Sequence, residues 1–181
     1  MVLEITQLGN PVLRKKCQAI DEVTDKIKNL ADDMVETMNH ADGVGIAAPQ
    51  VGEDVRMAVV DVSHDPECVT FCKVNGEDVK MQDYMPLIFI NPELELSGDK
   101  VNDMEGCLSI HEIRANVKRP TVVKAKLPQL DGSVIELEAD GLLARAIQHE
   151  VDHLNGVLFI DRLSAASKAR VRKKLKALME S

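Results

Sequence analysis

The chain contains no tryptophan, one tyrosine and three phenylalanines, so aromatic residues make up 2% of it. With apolar residues at 45%, packing falls to Leu, Ile, Val, Ala and Met. Nowhere is there an apolar run long enough to span a bilayer. The start, MVLEITQLGNPVL, lacks the basic flank and continuous apolar stretch of a signal peptide. Four cysteines at irregular spacing in 181 residues do not form a disulfide framework. These absences predict a reduced, cytoplasmic protein that enters no membrane, with an organelle of bacterial descent as the alternative location. A net charge of −8 argues against broad nucleic-acid binding, and no DNA partner is expected. Internal repeats, low-complexity segments and linkers are also missing, which predicts one domain over residues 1–181.

Residues 43–50, GVGIAAPQ, formally fit a dinucleotide-binding fingerprint. That loop needs a strand before it and a helix after it. The preceding segment instead repeats Ile27, Leu30, Met34 and Met38 at helical spacing, with Thr24 as a cap, and turn residues follow. No Lys-Ser or Lys-Thr pair follows, which excludes a Walker loop. A helix is thus predicted near 24–41. Residues 55–62, 86–91, 93–97, 121–127 and 133–139 read as strands, the last two joined through Leu130-Asp131-Gly132. Helical patterns run from 140 to 155 and over SAASKARVRKKLKALME. The fold class is α+β: antiparallel strands around a central HExxH helix, with an N-terminal and a C-terminal helix. Residues 63–85 read as an insertion or long loop.

His149 and His153 are four apart, so on a helix they leave one face a turn apart. Two imidazoles can then reach one metal, with Glu150 beside the first. A catalytic site needs a third protein ligand and an open position. A metzincin would supply a third histidine where this chain has Phe159, and the later acids, Asp161 and Glu180, are poorly placed. The third donor is therefore expected upstream, from among Cys17, His40, His64, Cys68, Cys72, Cys107 and His111. Cys107 stands out because Gly106 precedes it and polar Glu105 and Ser109 flank it. The spacing of His64, Cys68 and Cys72 offers a second, structural metal group that lacks a fourth donor.

Together GVGIAAPQ, EGCLS and QHEVDH resemble the three motifs of the peptide deformylase family, and the likeness spans nearly the whole chain. It implies removal of the formyl group from N-terminal N-formylmethionine of newly made polypeptides, releasing formate. Cys107, His149 and His153 then correspond to the metal ligands and Glu150 to the catalytic acid/base. Gln50 matches the amide donor, Leu108 the residue whose N–H faces the substrate oxygen, and Gly45 the glycine bordering the substrate. Arg114 falls where many relatives keep an arginine. Ferrous iron is implied in the cell, with zinc, nickel or cobalt able to occupy the site in a purified sample. One departure is His111, where relatives commonly have proline; it adds a titratable group near the cleft.

Val44, Leu142 and Ala146 read either as the lining of a pocket for a methionine side chain or as plain core packing. The last helix carries Lys168, Arg170, Arg172, Lys173, Lys174 and Lys176 beside an apolar stripe. A ribosomal RNA contact near the peptide exit is expected from it. The rival readings are a metalloprotease and a non-catalytic metal-binding or ribosome-associated protein.

Overall fold

The computed structural model describes residues 1–180. Thr24 starts helix α1 (Asp25–His40) by accepting a hydrogen bond from the Ile27 N–H at 3.3 Å. Its buried stripe, Ala31, Met34 and Met38, lies on Ile46, Met57 and Val59. Those residues belong to an antiparallel sheet in which β2 (Met57–Val60) lies between β1 (Gly45–Ala47) and β5 (Leu87–Ile90). GVGIAAPQ therefore runs as a short strand into a 3-10 turn, Ala48–Val51.

The second sheet is antiparallel throughout, in the order β4 (Glu77–Asp78), β3 (Cys72–Val74), β8 (Val134–Asp140), β7 (Ile110–Pro128), β6 (Glu93–Cys107). Its main body is the hairpin of β6 (Glu93–Cys107) and β7 (Ile110–Pro128), completed by β8 (Val134–Asp140). The segment expected to be a loop, 63–85, instead contributes β3 (Cys72–Val74) and β4 (Glu77–Asp78). These strands of three and two residues are too short to show a period. The five-residue strand expected at 93–97 continues ten residues further, to Cys107.

Helix α2 (Gly141–Leu154) lies between the sheets. Leu143, Ala144, Ile147 and Leu154 join Ala58 and Phe89 of the first and Val123 and Leu137 of the second in one aliphatic cluster. Burying α2 on opposite sides is what makes the absence of tryptophan tolerable: small and branched residues fill a thin space. Gly141 opens the helix at φ +58°, and a Cβ there would overlap the Cys68 carbonyl oxygen. Asp140 ties the same segment down by accepting from the N–H of Thr70 at 2.7 Å and of Phe71 at 3.2 Å. Helix α3 (Ala165–Glu180) docks by Val171 on a cluster containing Leu13, Ile113 and Phe159. Its six lysines and arginines from 168 to 176 all face solvent.

Candidate functional site

Strand β6 ends at Cys107, where Leu108 and Ser109 make the turn and Cys107 pairs with Ile110. Register is lost at this point: the next pair is Gly106 with Arg114, so three residues, 111–113, bulge out of β7. The bulge absorbs the sequence departure noted above. His111 projects into solvent 3.6 Å from Glu112, whose φ is +61°.

The turn delivers the thiol to the face of α2 that bears both histidines. One donor atom from each of Cys107, His149 and His153 lies within 4.8 Å of the other two. Cys107 Sγ is 3.3 Å from His153 Nε2. Among the described residues no other group of three such donors converges, and His64, Cys68 and Cys72 are not brought together. Cys72 is buried in β3, whereas Cys68 is exposed. Phe159, standing where a metzincin would need histidine, stacks on His149 with ring centroids 6.0 Å apart.

The donor set is chemically suited to a divalent ion. His149 spends Nδ1 on Glu105 Oε1 at 2.8 Å, leaving Nε2 for an ion. Burial pushes the pKa of His153 well below its ordinary value, which keeps that imidazole neutral, as a ligand must be. A thiol and two imidazoles make three protein donors, the number usual for a catalytic ion.

Glu105 is itself part of a buried charge frame. Arg119, 3% exposed, grips it through Nε at 2.6 Å and Nη2 at 3.0 Å, and extends Nη1 to Asp152 at 2.9 Å. Asp152 in turn accepts two hydrogen bonds from Arg162, at 2.6 and 2.7 Å. Burial alone would raise the Glu105 pKa, but hydrogen bonds from His149 and Arg119 hold it at about 2. Sequence reasoning missed Arg119, Asp152 and Arg145. A signal existed for the first: Ile113, Ala115, Val117 and Arg119 alternate onto the buried face of β7, and a buried arginine demands carboxylates.

Gln50 is oriented without ambiguity. Its Oε1 accepts from the Ala47 N–H at 2.9 Å, so Nε2 must face the cluster, 3.2 Å from Ser109 Oγ and 3.5 Å from Cys107 Sγ. The Leu108 carbonyl is held by Gln7 Nε2 at 3.1 Å. Glu150 is 3% exposed and its Oε2 has no hydrogen-bond partner. Burial raises its pKa to about 7. Gly45 makes room for it: a Cβ there would stand 3.0 Å from the Glu150 side chain.

These residues open onto one cleft of about 530 Å³. Val44 and Gly45 of the first sheet's edge, Met104, Gly106 and Arg114 of the hairpin, and Leu142 and Ala146 of α2 all line it. The cleft can admit an extended chain, present amide donors to a carbonyl oxygen beside the donor cluster, and offer a carboxylate poised to exchange a proton.

The polypeptide deformylase family profile matches residues 2–169. The peptide deformylase of Methylacidiphilum infernorum is 42% identical over 178 residues, covering 98% of this chain and 93% of that protein. The crystal structure of a peptide deformylase from Legionella pneumophila superposes with a TM-score of 0.80 at 33% identity, covering 98% of this chain and 95% of that one. One from Synechococcus elongatus, in complex with actinonin, superposes with a TM-score of 0.78 at 36% identity, covering 98% and 84%. Profile, sequence and fold agree over almost the full length, and this chain belongs to the polypeptide deformylase family.

Proposed function

We propose that the protein hydrolyses the formyl group from N-terminal N-formylmethionine of newly made polypeptides, releasing formate and a free amino terminus. The observation that carries this reading is the meeting of the Cys107, His149 and His153 donors with the buried Glu150 carboxylate, whose Oε2 has no hydrogen-bond partner, in a peptide-sized cleft. The whole of residues 1–181 is read as one catalytic domain, supported by the family match over 2–169.

Cys107, His149 and His153 would hold a divalent ion, which would supply Lewis acidity and make water a better nucleophile near neutral pH. The chain's own residues do the rest. Val44 and Gly45 align the substrate backbone as an added strand along β1. Water adds to the formyl carbon while Glu150 takes its proton; Glu150 then returns that proton to the amine as the C–N bond breaks. The NH₂ of Gln50 and the N–H of Leu108 donate to the formyl oxygen as it gains charge. Leu142 and Ala146 flank the space for the methionine side chain, with Arg114 near the mouth. Ferrous iron is the proposed cellular ion; zinc, nickel and cobalt satisfy the same donors. Anaerobic metal analysis coupled to turnover tests that choice.

The reaction itself is tested with formyl-Met peptides beside unformylated ones. Formate release with intact peptide bonds is expected, whereas internal cleavage would establish a metalloprotease instead.

The cytoplasm is the proposed location; no described helix is long and apolar enough to cross a membrane. The ribosome is the proposed partner of the solvent-facing cations of α3. Because Val171 alone of that helix is fully buried, its basic face can be altered without undocking it. Lys173, Lys174 and Lys176 together replaced by glutamate should abolish cosedimentation with ribosomes at low salt and leave peptide turnover unchanged. Unaltered cosedimentation would remove the ribosome from this proposal.

A further inference from the structure

Arg145 lies one helical turn before His149 and lines the cleft. Its guanidinium makes three hydrogen bonds to the hairpin. Nη1 donates to Glu105 Oε2 at 2.6 Å and to the Val117 carbonyl at 2.9 Å, and Nη2 donates to the Val101 carbonyl at 2.8 Å. Strand β6 is the last strand of its sheet, paired only with β7. Met104, Glu105 and Gly106 of this strand line the cleft, as do Leu142 and Ala146 of α2.

Strand β6 meets α2 through Cys107 with His153, through Glu105 with His149 and Arg145, and through the Val101 carbonyl with Arg145. The first two sites lie beside the donor cluster, and Val101 is four residues from Glu105 along the strand, or about 13 Å at 3.3 Å per residue. Pairing with β7 makes one unit of this stretch, and Arg145, bonded to Val101 of β6 and Val117 of β7, ties that unit to α2. Lysine cannot replace this anchor, because a compact ammonium lacks the planar fork that spans acceptors on two strands.

We propose that Arg145 is a specificity-determining positioning residue, which fixes the gap between β6 and α2 and thereby the size of side chain accepted next to the formyl group. This rests on the deformylase reading. Glu105 loses one bond when Arg145 is removed but keeps both bonds from Arg119 and its contact with His149, so the candidate ligands stay supported.

The test compares formyl-Met, formyl-Leu and formyl-Phe tripeptides on the wild type, Arg145→Leu and Arg145→Lys, each analysed for bound metal. One methylene more or less in an apolar pocket is typically worth about 10–200-fold in discrimination. In both variants the preference for formyl-Met over formyl-Phe should fall by about tenfold, through KM more than kcat, with metal content unchanged. An equal loss on all three peptides, or unaltered discrimination in a folded variant, overturns the proposal. If the wild type releases no formate from any of them, it is the deformylase reading that fails.

Discussion

Glu150→Gln is expected to bind metal at wild-type stoichiometry and to lose about 10²–10⁴ in kcat, the usual contribution of a positioned acid/base. The amide keeps the volume and the one-sided access of the carboxylate but cannot take a proton from water. The side chain is buried, and its Oε2 has no partner, so no stabilising hydrogen bond of that oxygen is sacrificed. Thermal stability is therefore expected to hold or rise, as is common where a buried catalytic charge is neutralised. Metal content, thermal denaturation and turnover of a formyl-Met peptide decide the matter together. Turnover within tenfold of wild type would remove Glu150 from the proton-transfer role. Loss of metal in parallel with activity would instead make it a structural support.

Arg119→Leu should have the largest effect on stability. Its guanidinium joins Glu105 and Asp152 in the interior, with all three side chains nearly inaccessible. Removing one partner of a buried ion pair typically costs about 3–5 kcal/mol, because the remaining charge stays desolvated. Arg145 still reaches Glu105 and Arg162 still reaches Asp152, so a loss of about 3 kcal/mol is expected, at the low end of that range. For a chain of this size that is roughly a 6–12 °C fall in Tm. Glu105 also aims His149, so the variant should release metal to a chelator about tenfold faster. Denaturant melts and chelator kinetics on the metal-loaded protein measure both. A change under 1 kcal/mol would mean that the other two arginines carry the frame.

Much of the site was legible in the sequence because helices advertise themselves by period. The spacing of His149 and His153 fixed their common face, and Ile27, Met34 and Met38 marked α1. The three donor residues named from the family motifs do lie together. The β6–β7 hairpin between 98 and 120 was illegible for a physical reason. Residues 95–104 of this edge strand are exposed on both faces, so no apolar alternation is imposed on them. On β7 the alternation exists but is interrupted by Arg119 and Pro120. The ion-pair frame left no spacing signal either: Glu105 meets Arg119 at a separation of 14 residues and Arg119 meets Asp152 at 33. Only the fold makes them neighbours.

The close fit of Gly141 against the Cys68 carbonyl acts as an end stop for α2. With the Asp140 carboxylate accepting from the Thr70 and Phe71 N–H groups just past Cys68, the helix is held against creep along its axis, and the two imidazoles keep their height relative to the thiol. Aliphatic packing on both flanks blocks rotation as well. The socket is thus machined by polypeptide alone, unlike small zinc modules that curl up only around their ion. An ion arriving there spends little of its affinity on ordering the chain, and a chelator that extracts it should leave behind a folded, reloadable enzyme.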